Sequence, residues 1–187
     1  MKNKILLLVV PLLLCFSNLN AQVFTVDYDG YTMEFVITSP NSVEISSCDG
    51  NSSGNPWFIP ETVTDNTSGI EYTVVGIGED VFRRSKVFDG VLTFPNSITK
   101  IGYRAFESAN IEGVLIIGDN VESIDEKAFA KTDVESLIIK SKHLTEIYDE
   151  TFSECESLSE VILSDGIEII GNEAFSECAI EELILPS

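Results

Sequence analysis

Ile101-Gly102-Tyr103-Arg104-Ala105-Phe106 is one of five versions of a single motif, isoleucine followed four residues later by a small residue and phenylalanine. The others read Ile77-Gly78-Glu79-Asp80-Val81-Phe82, Ile124-Asp125-Glu126-Lys127-Ala128-Phe129, Ile147-Tyr148-Asp149-Glu150-Thr151-Phe152 and Ile170-Gly171-Asn172-Glu173-Ala174-Phe175. Their phenylalanines lie 24, 23, 23 and 23 residues apart. Between them runs a second pattern, apolar-x-x-apolar-x-apolar. It is carried by Ile111, Val114 and Ile116, then Val134, Leu137 and Ile139, then Leu158, Val161 and Leu163, then Ile180, Leu183 and Leu185. That alternation is strand-like. A further short extended piece precedes each motif, as in Ile98-Thr99-Lys100-Ile101 and Val121-Glu122-Ser123-Ile124. A fixed period of this length marks a solenoid.

The period is held even where its parts slip. The strand begins five residues after Phe106 and Phe129 but six after Phe152, and the next segment is one residue shorter there. One such unit cannot enclose its own apolar face, whereas stacked units bury each other's. The phenylalanines are therefore expected to stack into an internal ladder, with Ala105, Ala128 and Ala174 (and the larger Val81 and Thr151) leaving room for close backbone approach. Loss of one internal ring should cost roughly 3–5 kcal/mol, a large part of an ordinary domain's stability. These rings are read as core, not as ligand contacts.

Outside the repeats, Lys2 and Lys4 precede an apolar run from Ile5 to Phe16, with Asn20-Ala21-Gln22 beyond it. Basic end, short apolar stretch and small residue in that order describe a secretory signal peptide over 1–21, cleaved after Ala21. The run is shorter than the roughly 20 residues a spanning helix needs. Export to the cell surface or medium is the expectation. Leu14 before Cys15 disfavours lipid attachment there. The chain carries 31 acidic residues against 11 basic, a net charge of −20, and cleavage would make it −22. Such a field repels nucleic acid and anionic lipid. It leaves a basic partner, divalent cations or plain solubility open. Cys48, Cys155 and Cys178 remain after cleavage, and an odd count argues against a disulfide-built scaffold.

Residues 22–56 read differently from the rest. Phe24, Val26 and Tyr28 alternate up to Asp29-Gly30, and a second run extends from Tyr31 to Ile37, so the Asp-Gly pair predicts a β-hairpin. A third strand is expected at Val43-Glu44-Ile45 and a loop from Ser46 to Pro56. The expected role is an N-terminal cap on the solenoid. At the other end the chain stops at Leu185-Pro186-Ser187, just after a repeat strand. The expectation there is an exposed edge, a longer array or a partner covering it.

The recurring Ile-Gly-x-x-Ala-Phe, with Phe152-Ser153-Glu154-Cys155-Glu156-Ser157-Leu158 and Phe175-Ser176-Glu177-Cys178, resembles the BspA-like leucine-rich repeats of bacterial surface and secreted proteins. Trp57-Phe58-Ile59-Pro60 and Tyr72-Thr73-Val74-Val75-Gly76-Ile77 look like an opening repeat split by an inserted turn. The resemblance covers 57–187. It implies a right-handed leucine-rich-repeat array of about five 23-residue repeats, mostly β with short helical turns, and for some members adhesion to host proteins. Asp125 and Tyr148 depart from the pattern by replacing its glycine, and Ile139-Lys140 stands where a proline belongs.

Catalytic chemistry finds no footing. Gly50-Asn51-Ser52-Ser53-Gly54 matches a hydrolase nucleophile elbow, but the strand-turn-helix context is missing and the one histidine, His143, lies in a repeat turn. One histidine and scattered cysteines do not make a zinc site, and Asp27-x-Asp29-Gly30 lacks the later ligands of a calcium loop. No enzyme activity, metal or cofactor is expected. Cys155 and Cys178, one repeat apart, should stack about 5 Å from each other, either as buried thiols or as a disulfide between rungs. Asn51-Ser52-Ser53 and Asn66-Thr67-Ser68 fit glycosylation acceptors.

The sharper expectation concerns a surface. Residues between the inward positions should form ladders of their own, giving an aliphatic stripe of Leu115, Ile138, Ile162 and Ile184 beside acidic Glu112, Glu135, Glu160, Glu181 and Glu182. Contiguous exposed apolar residues mark contacts, and the acids would favour a partner with basic residues. The reading is a secreted or cell-surface protein that binds an extracellular protein or glycan, with no nucleic-acid partner and no transmembrane segment. The alternative is a structural spacer or self-associating module.

Overall fold

Alternating apolar residues between tight turns build short strands that pair from one repeat to the next. A computed structural model of the chain describes residues 22–28, 30–50, 58–85 and 88–185. The signal-peptide reading at 1–21, Asp29 of the hairpin turn and Ser52 of the elbow match lie outside them.

The N-terminal segment forms an antiparallel meander. Strand β1 (Val23–Tyr28) pairs with β2 (Tyr31–Ser39), closing at Tyr28 and Tyr31, and β2 pairs with β3 (Ser42–Gly50). Ser46 to Gly50, expected as loop, continues β3. Cys48 lies opposite Met33, and the Ser46 hydroxyl donates to Glu34 Oε1 at 2.8 Å. β3 then runs parallel to β5 (Glu71–Ile77), which also holds β4 (Thr62–Thr64) antiparallel. The meander and the first repeats thus share one sheet, continued by β7 (Lys100–Ile101) and β9 (Ser123–Ile124).

A second sheet is wholly parallel. It stacks β6 (Phe88–Thr93), β8 (Ile111–Ile117), β10 (Val134–Ile139), β12 (Glu160–Ile162) and β14 (Glu182–Ile184) in chain order. Between the sheets lie the Ile-x-x-x-small-Phe turns, and here the structure corrects the expectation of short helical turns: no helix occurs among the described residues. Each turn instead holds two non-glycine residues at positive φ, such as Arg104 (53°) and Ser108 (57°), or Lys127 (59°) and Lys131 (61°). A helical turn would commit its N–H groups to its own carbonyls. The alternation turns every second N–H toward the next repeat, so Arg104, Phe106 and Ser108 donate to Glu126, Ala128 and Ala130 at 3.2, 2.7 and 2.8 Å.

This third ladder brings the phenylalanines into register. Successive rings of Phe82, Phe106, Phe129, Phe152 and Phe175 stack with centroids 5.1–5.5 Å apart. That is favourable offset-stacking range. Phe94 meets Phe106 and Phe129 edge-on at 5.8 and 6.3 Å. Ile77, Ile101, Ile124 and Ile147 form a buried aliphatic column on one side, and Leu92, Leu115, Leu137 and Val161 another on the strand side. Cys155 and Cys178 are free thiols that donate to the Phe129 and Phe152 carbonyls at 3.2 and 3.1 Å. The hydrogen bond with Cys155 and, after it, burial hold the Cys178 thiol above its ordinary range.

The glycine departures leave a mark. A Cβ on Gly102 would meet the Gly78 carbonyl carbon at 2.8 Å, and one on Gly171 would meet the Tyr148 carbonyl carbon at 2.8 Å. Backbone bonds cross the steps from Gly102 to Ile77, from Asp125 to Ile101 and from Gly171 to Ile147, and each of these steps has a glycine on at least one side. The step from Asp125 to Tyr148 has none, and there the sheet breaks: β11 (Glu146–Ile147) pairs only with β13 (Ile169–Ile170).

Candidate functional site

Strand pairing in the parallel sheet decides which side chains face solvent. Leu115, Leu137, Val161 and Leu183 are partners across β8, β10, β12 and β14, and so are Ile116, Ile138, Ile162 and Ile184. Leu115, Leu137 and Val161 are fully buried, so their neighbours point the other way by the period-2 rule. Ile138 and Ile162 are half-buried on the outer face and Ile184 is 43% exposed. Leu115 is not on that face. The outward residues of β8 are Val114 and Ile116, both read from the sequence as inward.

The cause is one extra residue. Between the first and second core positions β8 has Glu112-Gly113-Val114, whereas β10 has only Glu135-Ser136, and the pairing shifts register between Val134 and Ser136. Gly113 takes it up at φ 89° beside Gly90 at φ 93° on β6. A Cβ on Gly113 would lie 2.3 Å from the Gly90 carbonyl oxygen, so glycine is required there. The stripe consequently gains residues the sequence reading missed: Val91, 60% exposed, opposite Val114, and Thr93 opposite Ile116. The positive-φ glycine pair was the available signal.

The outer face therefore has three columns. One is aliphatic, Ile116, Ile138, Ile162 and Ile184. The next changes along the stack from Val91 and Val114 through Ser136 to Glu160 and Glu182. Outside it lie exposed Glu112, Glu135 and Glu181. Glu160 accepts a hydrogen bond from Ser136 Oγ at 2.9 Å, which ties the polar part of the middle column together. On the opposite flank, beyond the isoleucines, stand Gly118, Lys140 and Ser164 in place of acids.

Other candidates disperse. His143 is exposed, and its backbone N–H donates to Ser141. Among the described residues no group of three or more His, Cys, Asp or Glu side chains is placed to hold a metal ion, and no helix is long and apolar enough to cross a membrane. Cys48 is pushed up to about 12 by burial and by Asp49, which makes it a poor nucleophile. The turn face carries ion pairs between rungs, Lys127–Glu150 at 3.1 Å and Lys131–Glu154 at 3.0 Å, of the exposed, solvent-screened kind that adds little to stability.

Similarity to known proteins agrees with this architecture. A leucine-rich repeat protein from Bacteroides capillosus superposes with a TM-score of 0.53 at 25% identity, over 87% of this chain and 98% of the other. A leucine rich cell surface protein from Faecalibacterium prausnitzii follows at 0.52 and 23%, over 86% of this chain. A leucine-rich repeat protein from Bacteroides ovatus gives 0.50 and 22%, also over 86%. The chain spans 54% and 53% of the lengths of those last two, whose likeness is one of fold. Curated protein sequences give no match. The family model for the BspA type leucine rich repeat region matches residues 67–187 in six copies. With residues 67–187 of its 187 matched and its phenylalanine and isoleucine ladders stacked repeat on repeat, the chain belongs to the BspA type leucine-rich repeat family.

Proposed function

We propose that the chain is an exported binding protein, secreted or held at the cell surface, whose parallel-sheet face engages an extracellular protein or glycan and which catalyses no reaction. The carrying observation is the continuous aliphatic column through Ile116, Ile138, Ile162 and Ile184 beside an acidic flank. A solvent-facing sheet surface ordinarily alternates toward polar residues, and a run of aliphatic side chains one per rung is the kind of patch that marks a contact. The basic-then-apolar N terminus supports export, and the β1–β3 meander would serve as the cap on the first repeats. Self-association or a spacer role is the second reading.

The test is binding of the mature chain to a panel of extracellular-matrix proteins and polysaccharides, beside the Ile138→Glu/Ile162→Glu double variant with its fold checked by circular dichroism. Binding that vanishes in the folded variant supports the face. Equal binding by both proteins places the contact elsewhere. Absence of binding, with wild type alone forming oligomers in light scattering, favours the structural module.

A further inference from the structure

Resting on that reading of the face, we infer that its occupant is an amphipathic α-helix with basic residues along one flank, lying along the stack and across the strands. Parallel strands stand about 4.8 Å apart, so the isoleucine column offers one apolar contact every 4.8 Å. A helix presenting apolar residues at alternating steps of three and four advances about 5.4 Å per contact. An extended peptide presents same-face side chains about 6.6–7 Å apart. Over the three steps from Ile116 to Ile184 the helix drifts out of step by roughly 2 Å, within the reach of a side chain. The strand drifts by roughly 6 Å, more than a whole rung. Polyproline geometry, at about 9 Å per turn, fits worse.

Charge selects the helix's chemistry. Glu112, Glu135 and Glu181 line one side of the face, with Glu160 and Glu182 reinforcing its far end. The other side carries Gly118, Lys140 and Ser164 beside the column, with Asp119 and Asp165 one residue further on. A complementary helix therefore carries lysine or arginine on one flank and a neutral or acidic residue on the other. The same asymmetry disfavours a second copy of this chain: turned antiparallel, two such faces set acids near acids, and turned parallel, each row of acids meets only the other copy's Lys140. Four rungs span about 14 Å, so a helix of roughly ten to twelve residues covers the site.

The test uses three labelled synthetic 14-residue peptides at 0.15 M salt, read by fluorescence anisotropy. The first has leucine at positions 2, 5, 9 and 12 with lysine elsewhere. The second has the same composition with its four leucines at every second position, 4, 6, 8 and 10. The third has glutamate in place of lysine in the helical pattern. The expected order is the leucine–lysine helix first, with the other two at least tenfold weaker. Ile138→Glu/Ile162→Glu should weaken the first peptide by tenfold or more although it adds negative charge; attraction by charge alone would strengthen it. Glu112→Gln/Glu135→Gln/Glu181→Gln should also weaken it several-fold. Preference for the alternating peptide, still lost in the isoleucine variant, overturns the helix and keeps the face. Binding that the isoleucine variant leaves unchanged or improves overturns both. Oligomers of the wild type that exclude all three peptides would make a second copy the occupant and overturn the inference.

Discussion

Leu115 and Ile116 are chain neighbours with opposite fates. Leu115 is fully buried against the ladder, while Ile116 stands half-exposed on the outer face. Leu115→Glu buries an unpaired carboxylate, so a loss of about 4 kcal/mol or more is expected, enough to unfold a marginal domain. Ile116→Glu should cost about 1 kcal/mol. Urea unfolding of the two variants separates the registers, because a one-residue slip would exchange the results. Cys48 gives a second prediction. Its folded-state value of about 12 lies above the ordinary 9.0 because of burial first and Asp49 second. The thiol's contribution to stability is complete below pH 9 and declines between pH 9 and about 12, as the unfolded chain ionises and the folded one does not. Melting temperature should fall across that window, and Cys48→Ser should flatten the fall. An unchanged slope in the variant would assign it to Tyr31, also pushed up to about 12 by burial and Cys48.

At the scale of the strand and the turn, glycine decides geometry. Gly113→Ala drives a methyl group into the Gly90 carbonyl at positive φ and should cost about 2–5 kcal/mol. Gly90→Ala meets nothing within 4 Å and should cost only the conformational strain, about 1–2 kcal/mol. Equal losses would contradict the stacked-glycine bulge. Tyr148→Gly supplies the missing glycine at the broken step. It should let residue 148 donate to the Ile124 carbonyl as Asp125 does to Ile101, seen as slower amide exchange at residue 148. Exchange unchanged in that variant would leave the sheet break without this cause. These two glycine positions also show what the sequence can and cannot tell. The repeat, its phenylalanine ladder and the inward set of β10 and β12 follow from spacing alone. The register of β8 does not, because Val114-Leu115-Ile116-Ile117 satisfies an inward template starting at either Val114 or Leu115. The short helical turns came with the family resemblance and not from the residues of the motif, and hydrogen bonding to the next repeat replaces them. Five of the nine residues expected on the face, Glu112, Glu135, Glu181, Glu182 and Ile184, are exposed, and one, Leu115, is core.

Over the whole molecule, charge and apolar surface are arranged along the stack. Beyond Lys142 the sequence has no lysine or arginine, so the later rungs are acidic throughout, while Arg83, Arg104, Lys127 and Lys131 sit on earlier turns. The aliphatic column runs through β8, β10, β12 and β14, with that acidic flank on one side and Gly118, Lys140 and Ser164 on the other. The account depends on this column being open to solvent and in the register described. Hydroxyl-radical footprinting of the free chain, read by mass spectrometry, tests it directly, since aliphatic side chains are oxidised in proportion to their exposure. Oxidation at Val91, Ile116, Ile138 and Ile162, with Leu115, Leu137 and Val161 silent, is the predicted result. Oxidation at Leu115 with Ile116, Ile138 and Ile162 silent would contradict it.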